Sequence, residues 1–184
     1  ALDDKLVILT GQSDTSIRLV KIILEEFYQV HPRYAIGDVC GPGAPTEGVS
    51  GVLAIGDDAL RLRAEQRYPW HLDLGEMWFR RTGLPFVFSV CVVREAFLLE
   101  QPEAAKAIRA TLVECREAGS LRMAEICDRV ARRIPMDCEA CSHYLMGIEH
   151  DLSPVKLQAL ERFFQFMINR GEAPASALPL KIFQ

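Results

Sequence analysis

The sequence predicts an α/β fold with a mainly parallel sheet, followed by a helical C-terminal region. Two observations carry this. Strand-length apolar runs alternate with amphipathic helical stretches up to Val93, the pattern of a parallel sheet covered by helices. After Arg94 the apolar residues recur only at helical spacing. The expected division is therefore an α/β lobe at 1–93 and a helical region at 94–184.

Leu6 to Leu9 read as a strand buried on both faces, being a continuous apolar run. The next amphipathic helix places Ile17, Val20, Ile23, Leu24 and Phe27 on one side and Arg18, Lys21, Glu25 and Glu26 on the other. Between them lie Thr10, Gly11, Gln12, Ser13, Asp14, Thr15 and Ser16. A helix start rich in hydroxyls is a natural anion site, because its first N–H groups lack helical acceptors and the dipole favours negative charge. The plainer alternative is an N-cap at Ser13, Asp14 or Thr15 in a solvated turn, and the charge of Asp14 would compete with an anion.

The first helix is expected to end near His31 and Pro32. Gly37 to Ser50, with its glycines and prolines, reads as a loop, either a surface connection or a flap over a site. Val52 to Ile55 then form a strand, and a glycine turn leads into a helix starting at Asp57 or Asp58. These acids read as cap and dipole partners rather than metal ligands, having no third ligand nearby. Trp70 to Leu74 is expected as a short strand, Glu76 to Arg81 as a helical turn or two, and Phe86 to Val93 as a buried strand. Helices follow over Ala96 to Ala118, Leu121 to Arg132, Asp137 to Ile148 and Pro154 to Arg170, with joints at Gly119, Pro135, Gly147 before an Asp151 cap, and Gly171. Phe163, Phe164 and Phe166 read as core of the last helix.

The 184 residues are long enough for a substantial core. A net charge of −4, with 21 basic and 25 acidic residues, points to no nucleic-acid partner and no polybasic membrane anchor. No apolar run reaches bilayer-spanning length. The six cysteines suit reduced, partly buried thiols of a cytoplasmic protein better than a small disulfide scaffold. Cys138 and Cys141 form a lone CxxC near His143 and His150, which lacks the second ligand pair of a zinc site. No metal and no cofactor are expected.

Four blocks taken together resemble a known family: TGQSDTS (Thr10 to Ser16), IGDDAL (Ile55 to Leu60), DLGEMWFRRTGLPFVFSVCVVR (Asp73 to Arg94) and YLMGIEHDLSPVKLQALERFF (Tyr144 to Phe164). In order and spacing they are similar to the chorismate dehydratase family of the futalosine route to menaquinone. The resemblance implies a periplasmic-binding-protein-like (type II) fold with substrate held between two lobes. It also implies that Ala1 to Leu6 is the hinge crossing into the second lobe, so that most of the first lobe is absent. The implied reaction is loss of water from chorismate to give an enolpyruvyl benzoate. Ser13, Thr15 and Ser16 would bind a substrate carboxylate, Gly11 and Gln12 would shape the loop, and Gly56 and Asp57 would line the cleft. No catalytic residue is assigned. The expected partners are the small anionic metabolite and either the absent first lobe or a second copy of the chain. The alternative reading is a non-catalytic solute-binding or sensor relative.

Overall fold

The computed structural model describes residues 2–41, 43–44, 47–133 and 136–183. Ala1 of the expected hinge, Pro42, Pro45 and Thr46 of the long loop, and the joint at Pro135 lie outside the described residues. The chain forms two compact units, Ala1–Phe88 with Asp151–Gln184, and Ser89–His150. This grouping differs from a division at Val93, because the last helix joins the first unit.

The first unit is built on a three-stranded parallel sheet in the order β2-β1-β3. The strands are β1 (Leu6–Leu9), β2 (Arg33–Ile36) and β3 (Val49–Leu53). In β1, Val7, Ile8 and Leu9 are all buried, which explains its unbroken apolar run: neighbours cover both faces. Helix α1 (Asp14–Lys21) runs directly into a π-helical stretch at Ile22–Phe27. It ends where Gln29 folds its side-chain amide back to the carbonyls of Glu25 and Glu26, at 3.1 and 3.0 Å, satisfying acceptors that a helix end leaves open. Val20 packs with Val7, Leu9 and Leu53 to fix α1 on the sheet.

The second core lies on the far side of α1. Leu19, Ile22 and Ile23 meet Trp78 of α3 (Leu74–Thr82) and Phe163 of α8 (Pro154–Asn169). Trp78 is fully buried, with the rings of Phe27, Phe86, Phe163 and Phe166 at 5.9, 5.5, 6.1 and 5.8 Å. Phe163 and Phe166 thus serve as core, and Phe164 lies 6.4 Å from Phe163.

Several expected elements differ. The first helix stops at Phe27 rather than near His31 and Pro32, and strand β2 falls between that expected end and the Gly37 loop, where no element is expected; it is a short edge strand whose side chains are mostly exposed, so it lacks apolar alternation. Strand β3 covers Val49–Leu53 rather than Val52 to Ile55. Trp70 to Leu74 is no strand: Trp70 and Leu72 are exposed, and Asp73 instead caps α3, its Oδ1 accepting from the Glu76 N–H at 2.9 Å. A capping acid followed by Glu three residues on outweighs the β propensity of the preceding residues. Replacing Asp73 by Ala is expected to lower stability by about 1 kcal/mol, readable as a shift in urea midpoint at constant slope. At the other end Gly83, at φ +70°, donates to the Phe79 carbonyl at 2.8 Å and closes α3.

Phe86 to Val93 is likewise not a strand among the described residues. Phe86 packs on Trp78 and Phe163, while Phe88, Val90 and Val92 are exposed. The composition suits a strand, but a strand forms only where a neighbour takes up its N–H and C=O groups.

The second unit holds α4 (Glu95–Glu100), α5 (Pro102–Leu121), α6 (Met123–Val130) and α7 (Cys138–Met146). The first expected helix is broken at Gln101, where Pro102 opens α5 as its first residue. Gly119 lies inside α5, and the break falls at Arg122. In the first unit, the residue preceding α8 is Ser153 rather than Asp151. The Asp151 carboxylate accepts from the Ser153 N–H at 3.0 Å and pairs with Lys156.

Candidate functional site

The sheet order marks a candidate switch point at the carboxyl ends of β1 and β3. The chain leaves β1 for β2 on one side, then crosses so that β3 lies on the other side of β1. Loops leaving the carboxyl ends of β1 and β3 therefore diverge, and ligands of open α/β sheets gather at such switch points. The β1 loop holds Gly11, Gln12 and Ser13; the β3 loop leads to Gly56 and Asp57 at the start of α2 (Gly56–Ala64).

Ser13 is the N-cap of α1, extended at φ −151°. Its Oγ accepts from the Ser16 N–H at 3.2 Å, and the Ser13 and Ser16 hydroxyls share an O–H···O bond at 3.0 Å. One bond between two hydroxyls leaves the second O–H able to donate. Ser16 is buried, Thr15 is half-buried beside it, and Asp14 is exposed. Because only the Ser16 N–H takes the cap, the N–H groups of Asp14 and Thr15 belong to the helix opening that lacks intrahelical acceptors. The N-cap reading and the anion-site reading thus describe compatible features: the cap consumes one of the four open donors, and those of Asp14 and Thr15 are among the rest.

The base of the loop is held by Thr10, which is buried. Its N–H donates to the Leu53 carbonyl at 3.1 Å, tying β1 to β3 at the switch point, and its Oγ1 accepts from the Gln12 N–H at 3.3 Å. Gly11 faces Ile36 so closely that an added Cβ would lie 3.3 Å from its Cγ2. Gly56 opens α2 at φ +54°, a conformation that glycine adopts without cost. Asp57 is exposed.

Gln12 joins the two loops, its Nε2 donating to Asp58 Oδ2 at 3.3 Å. Asp58 Oδ1 is held in turn by Arg61 at 3.4 Å. Which of the adjacent acids Asp57 and Asp58 turns toward the β1 loop depends on the phase of α2, and here it is Asp58. All seven expected site residues thus fall in the β1 and β3 loops and the first turns of the helices α1 and α2 that follow them. Asp58 and Thr10 are the additions. No group of three His, Cys, Asp or Glu side chains among the described residues could hold a metal ion, and no helix among them is long and apolar enough to cross a membrane.

The arrangement can receive a carboxylate with hydroxyl and N–H donors. It carries acids rather than bases: Asp14, Asp57 and Asp58 are its only charged residues in the two loops, 10–16 and 54–58. Neither loop contains a His, Lys or Arg.

A chorismate dehydratase from Thermus thermophilus is 33% identical to this chain over 172 residues, covering 85% of this chain and 60% of that protein. The chain therefore spans about 60% of the length of the curated relative it matches. The profile of a family described as menaquinone biosynthesis matches residues 1–168. The chain belongs to this menaquinone-biosynthesis family.

Proposed function

We propose that this chain is the substrate-binding part of a chorismate dehydratase, working in the cytoplasm, with the periplasmic-binding-protein-like (type II) fold expected from the sequence. The single observation that carries the reading is the capped helix start holding Ser13, Thr15 and Ser16 at the carboxyl end of β1, beside β3, in a family of menaquinone biosynthesis. The similar Thermus thermophilus protein is a chorismate dehydratase. Six free cysteines are in keeping with a reducing compartment.

In this proposal a substrate carboxylate lies on the N–H groups of Asp14 and Thr15 and on the hydroxyls of the Ser13, Thr15 and Ser16 group. Gly11 and Gln12 shape the loop, and Gly56 and Asp57 form the opposite wall. Elimination removes a proton from carbon and a hydroxide equivalent from the ring, and aromatisation drives it. With no His or Glu in either loop, a carboxylate of the substrate takes the proton and orientation supplies much of the acceleration. A pH–rate profile limb that vanishes on replacing one protein acid would contradict this.

A dianion beside three acids needs cations that these loops do not contain. We propose that they come from the first lobe, matching the part of the relative that this chain does not span, or from a second copy. Exposed Val90, Val92, Ile108 and Leu112 are surfaces that such a partner could cover.

The test is to incubate the chain with chorismate and look by mass spectrometry for a product lighter by one water. The doubly substituted Ser13→Ala, Thr15→Ala protein is expected to lose roughly tenfold to a hundredfold in rate, the loss of one or two hydrogen bonds to charge. Equal turnover by both proteins would remove the loop from the site. The lack of a base in the loops also favours a second reading, a solute-binding or sensor relative; tight chorismate binding without any product would support that reading instead.

A further inference from the structure

The second unit contains five thiols that the proposed function does not use, and three of them, Cys127, Cys138 and Cys141, lie on α6 and α7. Cys127 of α6 and Cys141 of α7 are each about 1% exposed and pack together with Ala131, ringed by Met123, Val130, Met136 and Leu145. The two side chains belong to one buried cluster that joins α6 to α7. Cys138 is exposed at the first position of α7, one turn before Cys141. The apolar ring contains no acid or imidazole, and these residues form no metal-binding group. Cys127 lies in a different helix, so the sequence alone shows only a CxxC pair.

We propose that this cluster is a dithiol–disulfide site, in which Cys138 takes oxidising equivalents from a small-molecule disulfide and passes them inward to form a Cys127–Cys141 bond. The Cys138 thiolate attacks one sulfur of the small disulfide, forming a mixed disulfide and expelling one thiolate. The Cys141 thiolate then attacks the Cys138 sulfur, forming Cys138–Cys141 and expelling the second. Last, the Cys127 thiolate attacks the Cys141 sulfur and releases Cys138 as a thiolate. In total two protein thiols lose two electrons, the small disulfide is reduced to two thiols, and the two protons pass to the departing thiolates.

The order follows from access and geometry. Cys127 and Cys141 are closed off from a small disulfide in solution while Cys138 is open to it, and burial also pushes the Cys141 thiol up from its ordinary value, with the neighbouring Cys127 adding to the effect. An i, i+3 pair on a helix has Cβ atoms about 5–6 Å apart, wider than the roughly 4 Å of a relaxed disulfide. The Cys138–Cys141 bond is therefore a strained intermediate that Cys127 relieves.

The whole chain is exposed to oxidised glutathione, the remaining thiols are alkylated after denaturation, and disulfide-linked peptides are mapped by mass spectrometry over time. The expected product is a peptide pair joining Cys127 to Cys141, lighter by two hydrogens. In the Cys138→Ser protein, an exposed substitution, its rate of appearance falls by roughly tenfold or more. Glutathione found only on the exposed Cys91, Cys115 and Cys138, with Cys127 and Cys141 alkylated as free thiols, would overturn the proposal. Formation of the internal bond at the same rate in Cys138→Ser would overturn the relay.

Discussion

Trp78→Ala is expected to cost the first unit about 4 kcal/mol, within the range for deleting a buried aromatic side chain. Trp78 has no exposed surface, and four phenylalanine rings surround it at 5.5 to 6.1 Å. These rings come from the end of the first helix, from Phe86 after α3, and from α8, so no single element can move in to fill the space. The indole N–H finds no acceptor among the described residues, a burial cost that the surrounding packing offsets. Trp78→Phe removes that unpaired donor with part of the volume and is expected to cost less than half as much. Urea unfolding followed by circular dichroism checks both, as a downward move of the midpoint at constant slope that is larger for the alanine protein. A loss under 1 kcal/mol for the alanine protein would mean that this core does not hold α3 and α8 to α1.

The second large effect is expected at Arg170. Its guanidinium reaches Glu25 at 2.7 Å, Glu26 at 2.7 Å and Glu172 at 2.9 Å, while Arg18 reaches Glu172 from the other side at 2.7 Å. The Arg170 side chain is only 16% exposed. Arg170→Ala leaves three carboxylates close together with one remaining cation, and is expected to cost about 2–3 kcal/mol, the low end for a broken buried pair because Glu26 is solvated. Burial alone would raise the Glu172 carboxyl, but hydrogen bonds from Arg18 and Arg170 outweigh it and hold the group below 4.5. A carboxyl depressed on folding stabilises the protein above its unfolded-state value and loses that contribution as the pH falls through the folded-state value. The stability gap between the parent protein and Glu172→Gln should therefore be full at neutral pH and close as the pH drops below about 4.5. A gap that stays constant down to pH 3 would show that the network contributes nothing through charge.

Local chemistry decided how much could be read in advance. The β1, loop and α1 sequence was legible because a continuous apolar run, a capping serine and an amphipathic helix each leave their own signal, and Ser13 does cap α1. The Gly56 turn and the Phe163 core of α8 were legible for the same reason. What failed depended on partners distant in sequence. Strand β2 exists because β1 supplies its hydrogen bonds, whereas Phe86 to Val93 has the better strand composition and no neighbouring strand among the described residues. At the site, the residue types were visible but not the Gln12 to Asp58 bridge, which requires knowing that β1 and β3 are adjacent. The contact between Cys127 and Cys141 was hidden in the same way.

That adjacency supports the central claim, that a substrate carboxylate docks at the opening of α1. The most direct measurement is a titration of the isotopically labelled chain with chorismate, following backbone amide resonances. The largest shifts are expected at Asp14 and Thr15, with smaller ones at Gln12, Ser16, Gly56 and Asp58 as the Gln12 bridge is disturbed. Saturable shifts confined to residues away from both loops, with Asp14 and Thr15 unmoved at excess ligand, would contradict it.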